Sequence, residues 1–280
     1  REPFAEDAYE TITYPVVFHL IQDKTKVELG QGVGADIVNY AFNTIYNCFA
    51  RTAAFSPNGA DTKIRFRLAE YDPNGRKMEE KGINRYSLST SDLNNLNPEK
   101  IKNNPKICWD YKRYLNIWIV ENMGNSVSTP HYILNTADLN QIQGVSFEQL
   151  SLEEIEKQEY SLTDIGLIYG ARDFAIEDVG YPTQMGKFFG LLDTENQKED
   201  YCEDTFAYNT YKEPWNTALE GSNSRLKIST DGLIFYSVNI MDASSYKNTI
   251  SMDQVKRIRT ITDNCPHRWA WKSDWAFTGK

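Results

Sequence analysis

Two runs bound what this chain can fold into: Tyr14-Pro-Val-Val-Phe-His-Leu-Ile21 and Tyr114-Leu-Asn-Ile-Trp-Ile-Val-Glu121, both rich in β-branched and aromatic residues. Such runs fit the pleated, crowded surface of a buried strand. In the second run Leu115, Ile117 and Ile119 fall on one face, and Trp118 and Val120 on the other. Between the runs, Ile37, Val38, Ala41, Ile45 and Phe49 recur at helical spacing, so a helix is expected from Val33 to Arg51, with Gly34 and Asp36 near its start. Lys63-Ile-Arg-Phe-Arg-Leu-Ala-Glu70 alternates charged and apolar residues, predicting a strand with one wet face. Asp72-Pro-Asn-Gly75 then makes a turn, Gly82 to Tyr86 a short strand, and Asp92 to Pro105 an Asn-rich irregular connection.

Further along, Glu148 to Tyr160 is acidic and helix-prone, Asp164 to Tyr169 reads as a strand, and Glu195 to Trp215 as loop. Regularity returns at Leu233 to Met241, and Ser251 to Ile261 reads as a helix with Ser251 as its N-cap. There is no internal repeat. Strands and a helix ahead of an irregular and helical last third predict an α+β domain of two lobes around a cleft.

The 280 residues, 40% of them apolar, suffice for a real core. A net charge of −9 with scattered basic residues argues against a nucleic-acid or anionic-membrane surface. No run of eighteen apolar residues occurs, and Arg1-Glu-Pro-Phe-Ala-Glu-Asp7 reads as a processed or trimmed start, not a signal peptide. Cys48, Cys108, Cys202 and Cys265 are widely spread, with no Cys-x-x-Cys pair, and only three histidines occur, which is a poor zinc-finger inventory. No Asn-x-Ser/Thr sequon is present.

The stretch Gly180-Tyr-Pro-Thr-Gln-Met-Gly-Lys-Phe-Phe-Gly-Leu-Leu-Asp-Thr194 has the spacing of the metzincin zinc-protease pattern, His-Glu-x-x-His-x-x-Gly-x-x-His. In that pattern two histidines share one helical face, the Glu is the general base, and the glycine lets the chain swing a third histidine back to the metal. With Gly190 at the glycine position, Thr183, Gln184, Lys187 and Asp193 stand at the His, Glu, His and His positions. Val238-Asn-Ile-Met-Asp-Ala-Ser244 resembles the methionine turn that floors such a site, with Met241 as the floor residue. Pro15 to Ile21, Ile64 to Gly75, Gly82-Ile-Asn-Arg85 and Tyr114 to Val120 resemble the upper-lobe strands of one metzincin family, the pappalysin-like metallopeptidases, particularly its bacterial envelope members. Cys202-Glu-Asp-Thr205 resembles their Asp-Thr loop, Gln254 to Arg259 the helix after the methionine turn, and Arg268 to Gly279 their Trp-rich end. The resemblance covers Pro15 to Gly279. It departs from the family at Phe206, where a proline is usual, and at Tyr246, where a cysteine is usual.

The resemblance implies a metzincin-like fold with a twisted, mainly parallel mixed sheet. It implies one catalytic-type domain over residues 1–280, with an upper lobe to about 190 and a lower lobe from about 191. It also implies export to the bacterial periplasm, outer surface or beyond, at least one disulfide, and a possible lipid anchor on the precursor. Cys202 then lacks its family partner. Pairing with Cys265, and Cys48 with Cys108, is one of three open connectivities. Asp204 and Thr205 match a loop that holds calcium in relatives, and that ion is kept as the one possible cofactor. No zinc is expected, because Lys187 brings an ammonium where a lone pair is needed and Gln184 cannot serve as a base. An ion pair of Lys187 with Asp193 is expected to fill the space instead. The expected function is that of a pseudopeptidase that binds protein or peptide through its cleft. Its alternatives are a hydrolase using carboxylates such as Asp173, Glu177 and Asp178, or a structural module of a surface complex. His19 reads as a core residue, and His131 and His267 have no ligand spacing with it.

Overall fold

The computed structural model describes residues 8–27, 33–53, 59–123, 131–135, 142–176, 180–195, 199–208, 226–244 and 247–280. Its spine is a twelve-residue strand, β1 (Ile12–Asp23), buried at every position but Thr13. Along one edge β1 pairs first with β2 (Ile64–Leu68), from Ile12↔Ile64 to Val16↔Leu68, and then with β3 (Ile83–Leu88), from Phe18↔Ile83 to Asp23↔Leu88. The changeover is stitched by two backbone bonds, Ala69 N–H to the Val16 carbonyl and Phe18 N–H to the Gly82 carbonyl. Gly82 has φ +69°, and a Cβ there would fall 2.6 Å from the Leu68 side chain, so the return to β1 requires glycine. On its other edge β1 pairs with β4 (Leu115–Val120), which pairs with β7 (Gly166–Gly170).

Every ladder of this sheet is parallel among the described residues, which demands crossovers and cover on both faces. The helix α1 (Ala35–Phe49) supplies the first crossover and buries Val38, Ala41, Ile45, Cys48 and Phe49. Tyr14, Val16, Phe18 and Leu20 of β1 join Leu115, Ile117 and Ile119 of β4 in the core under α1. Trp118 and Val120 fall in the cluster on the opposite face with Ile21. The period of two seen in the sequence is therefore the division between two cores. In β2, Ile64 and Phe66 are buried while Arg65 and Arg67 face outward.

Three segments differ from expectation. Asp92 to Pro105 is not irregular throughout: α2 (Thr90–Asn94) and α3 (Pro98–Lys102) form single turns capped by the side chains of Ser89 and Asn97. Asparagine there is a cap that satisfies orphan N–H groups. In Glu148 to Tyr160 only α4 (Leu152–Ile155) is helical, because Phe147–Gln149 is drawn into β6, paired with β5 (Tyr132–Leu134). Of Leu233 to Met241 only Ile234–Tyr236 is strand, β9, which is antiparallel to β8 (Leu226–Ile228).

The longer elements after β7 are helical. Short α5 (Ala171–Ile176) and α6 (Tyr181–Phe188) follow β7, and α7 (Met252–Asn264) starts at Ser251 with a reciprocal capping box to Gln254. A 3₁₀ segment, Pro266–Lys272, and α8 (Trp275–Thr278) close the chain. The aromatic end is locked onto the body: Trp275 Nε1 donates to the Asp72 carbonyl at 3.1 Å, while the guanidinium groups of Arg113 and Arg67 lie over Trp275 and Phe277 at 4.2 and 4.3 Å.

The expected disulfides do not form: all four cysteines are free thiols. Cys48 packs on the α1 face of the sheet, with its thiol toward the Lys247 carbonyl, whereas Cys108 packs against the cluster on the opposite face. Cys265 lies in a third cluster with Tyr132 and Ile261, and the Cys202 thiol turns to the Asp200 carbonyl. The sheet and these separate clusters keep the pairs from the short approach a disulfide demands. Burial pushes the Cys48 thiol up to about 12 and Cys108 to about 11, so neither is an activated thiolate.

Candidate functional site

The centre of interest is α6 and the turn beneath it. Thr183, Met185, Gly186 and Phe188 are buried, and Gln184 and Lys187 are half-buried. Gly186 is needed for close approach, since a Cβ there would lie 3.0 Å from Met241 Sδ and 3.1 Å from Ile240 Cδ1. Met241 is 2% exposed and shares the core of Met185, Phe188 and Leu191. The floor residue thus sits directly under the helix.

The helix ends in a Schellman motif. Leu191 N–H donates to the Gly186 carbonyl at 2.9 Å and Gly190 N–H to the Lys187 carbonyl at 3.0 Å, with Gly190 at φ +92°. Three buried donors from distant segments also reach carbonyls of this helix end. Tyr132 OH reaches Lys187 O at 2.6 Å, Arg268 Nε reaches Phe188 O at 3.0 Å, and Arg257 Nη2 reaches Gly190 O at 3.0 Å. Cations at this end also suit the negative pole of the helix. The chain is thereby turned so that Asp193 comes back beside Lys187.

The turn below is equally determined. Asn239 and Gln254 exchange two side-chain hydrogen bonds, at 2.8 and 3.0 Å, and the Asn239 amide oxygen accepts the N–H of Met241 at 2.9 Å. Asp242 is buried and accepts from the hydroxyls of Thr194 and Ser237. Burial raises its carboxyl above the usual range, against the pull of those two hydroxyls.

At the four motif positions the groups are these. Thr183 Oγ1 donates to the Ile240 carbonyl at 2.5 Å and accepts from Lys247 Nζ at 2.9 Å. Lys187 Nζ lies 2.9 Å from Asp193 Oδ1, the ion pair expected from the sequence, with side chains 27% and 30% exposed. Gln184 donates its backbone N–H to Gly180 O.

The fold is similar to that of mirolysin. Mature mirolysin of Tannerella forsythia in complex with a cleaved peptide matches at a TM-score of 0.58 and 19% identity, over 96% of this chain and 97% of that one. Mirolysin in complex with compound 9 matches at 0.59 and 19%, over 96% and 99%. A promirolysin mutant of the same organism matches at 0.58 and 20%, over 95% and 85%. No protein-family model matches the chain, and no curated protein does. The architecture is thus metzincin-like, a zinc-protease fold built on a mainly parallel sheet.

That fold implies zinc, but the residues at the site do not fit it. Zinc takes lone pairs from imidazole, thiolate or carboxylate. Two ammonium groups, Lys187 and Lys247, occupy this region, and while protonated they offer none. The Thr183 hydroxyl has committed its proton to Ile240 and a lone pair to Lys247. Asp193 is the one ligand-type group of the four, and it faces an ammonium. Among the described residues no three His, Cys, Asp or Glu side chains converge as a metal-binding group.

The other candidates lie elsewhere. His19 is buried in β1, where Asn84 Nδ2 donates to Nδ1 at 2.9 Å and the Asn116 amide oxygen pairs with Nε2 at 2.8 Å; these contacts assign the Nε2–H tautomer. His131 bonds Ser146, and His267 is buried between Tyr111 and Tyr160. Asp173 is on α5, while Glu177, Asp178 and Tyr246 lie outside the described residues. Asp204 caps α7, accepting from Ser251 Oγ at 2.6 Å and Asp253 N–H at 3.0 Å, while Thr205 Oγ1 donates to Asp200 and to the Cys202 carbonyl. Sequence reasoning missed Tyr132, Lys247, Arg257 and Arg268. No spacing in the sequence marks any of them, since each reaches the site from a distant segment.

Because the Lys187–Asp193 pair is partly solvated, its expected coupling is modest. A double-mutant cycle of Lys187→Met and Asp193→Asn, read by denaturant unfolding, is expected to give about 0.5–1 kcal/mol.

Proposed function

We propose that the chain is a catalytically inactive metallopeptidase homologue, a single-domain pappalysin-like pseudopeptidase whose cleft binds protein or peptide at the bacterial cell envelope. The observation that carries the reading is the Lys187–Asp193 ion pair with Lys247 on Thr183, at the positions that the zinc-protease sequence pattern gives to metal ligands. The finer family and the exported setting are supported by the ordered sequence constellation, and by the likeness to a mirolysin caught with a cleaved peptide. Among the described residues no helix is long and apolar enough to cross a membrane. Under this reading no zinc binds at α6. Gln184 has no proton-accepting role there, since an amide does not titrate near neutrality.

The binding half is tested by calorimetric titration with peptides derived from unfolded proteins. Saturable binding that falls about tenfold in a Lys187→Glu variant supports it. Absence of binding across such a set, or indifference to that variant, refutes it. The metal half predicts that no single repair restores zinc, because affinity needs a full set of deprotonated ligands. Thr183→His, Lys187→His or Asp193→His alone should leave zinc content at background. The three made together rebuild the donor set, and Gln184→Glu beside them restores the general base. A single repair that gave one bound zinc per chain would show that the ligand set had been misassigned.

A further inference from the structure

A cavity of about 280 Å³ opens beside the 3₁₀ segment and shares no residue with the α6 site. Tyr111, Leu152, Ile155, Pro266 and Trp269 form its apolar walls, and Lys272 stands at its side. Its volume falls just below the usual range of ligand cavities, roughly 300–1,000 Å³, so it suits one large side chain and not an extended ligand. Leu152 is 47% exposed, leaving an apolar lip in solvent.

The charges at the mouth are uneven. Lys112 and Glu156 pair across it at 3.1 Å and cancel. Lys272 is held over the Trp269 ring, its Nζ 3.2 Å from the centroid. Among the described residues the carboxylate acting on it is that of Asp263, which is also paired with Arg259 at 3.4 Å. The cavity therefore joins an apolar chamber to an ammonium that has no ion pair among the described residues and is already fixed in place by an aromatic wall.

We propose that this cavity takes the C-terminal residue of a peptide chain, with its apolar side chain inside and its α-carboxylate on Lys272. An internal apolar side chain fills the chamber but brings no anion to the ammonium. A polar C-terminus brings the anion but leaves the walls wet. A terminal Leu or Phe satisfies both, and a charge-assisted contact to the carboxylate is the stronger kind of hydrogen bond.

The test is calorimetric titration of the whole chain with N-acetyl-phenylalanine and N-acetyl-leucine, each as free acid and as amide. The acids are expected to saturate, with the amides at least tenfold weaker. Lys272→Glu should remove that preference, Leu152→Gln should weaken acid and amide together, and Lys187→Glu in the α6 site should change neither. Both cavity positions are at the surface, and the comparison of acid with amide needs no variant. Equal binding of acid and amide would overturn the proposal, as would failure of both to saturate at millimolar concentration. So would an acid preference that survives Lys272→Glu. The indifference expected of Lys187→Glu separates this outcome from the fate of the cleft reading.

Discussion

Arg268→Ala is expected to lower the folding free energy by about 3 kcal/mol, a more than hundredfold fall in the ratio of folded to unfolded chain. Arg268 is 1% exposed, donates to the carbonyls of Phe188 and Asp164, and lays its guanidinium 3.5 Å from the centre of the Phe188 ring. Truncation takes the guanidinium donor from two buried carbonyls, leaving that of Phe188 only the Tyr132 hydroxyl at 3.4 Å, and opens a cavity against Phe188 and Tyr132, whose ring centre is 5.4 Å from the guanidinium. Removing a buried cation relieves some desolvation, which keeps the expected loss below a simple sum. Arg268→Met separates the contributions, because it restores volume but not the donors, and should fall between wild type and alanine. Urea midpoints of the three proteins measure this. A loss under about 1 kcal/mol for alanine would mean that the end of α6 does not depend on this clamp.

Acidification should destabilise the fold between pH about 6.5 and about 4, and two histidines set that window. Burial pushes His19 down to about 4 against the opposing hydrogen bond of Asn116, and burial together with the neighbouring Arg268 charge pushes His267 down to about 4. In the unfolded chain both titrate near 6.5. Above that value neither state is protonated and the histidines add no pH dependence. Below it the unfolded chain binds protons that the folded chain refuses, so stability falls until the folded values are reached, by about 3 kcal/mol per histidine. The carboxyls of Asp200 and Asp242, raised by burial, act with the opposite sign as they protonate sooner in the folded chain. His267→Phe isolates one contribution, since both ring nitrogens of His267 are buried without a hydrogen-bond partner among the described residues and its ring already packs edge-on to Tyr111 at 5.1 Å. The variant should be at least as stable as wild type at pH 7 and should lose about 3 kcal/mol less by pH 4. Parallel stability curves for the two proteins would contradict the assignment.

The parts of the fold that could be read from sequence are those in which one physical requirement dominates. Strands β1 and β4 are covered on both faces, so their apolar runs admit little else, and Ser251 with Gln254 writes a cap in local spacing. Gly190 was legible because a helix that must turn back sharply needs a positive φ at one place. Short elements were not, because Asn97 capping α3 and Phe147 entering β6 depend on partners that local composition does not name. The free cysteines show the same limit. Their separation is set by the sheet between Cys48 and Cys108, which spacing along the chain does not record. At the site, Lys187 and Asp193 were readable as an ion pair from the motif's own geometry. Lys247 was not, since it reaches Thr183 from 64 residues away.

The most direct test of the account is metal analysis with a peptidase assay on wild-type protein exposed to excess zinc and then desalted. With Lys187 and Lys247 at the α6 site, the account predicts zinc at background and no cleavage of generic protein substrates. The contrary result would be one tightly held zinc per chain whose removal by a chelator abolishes peptidase activity, with both lost together in Asp193→Asn.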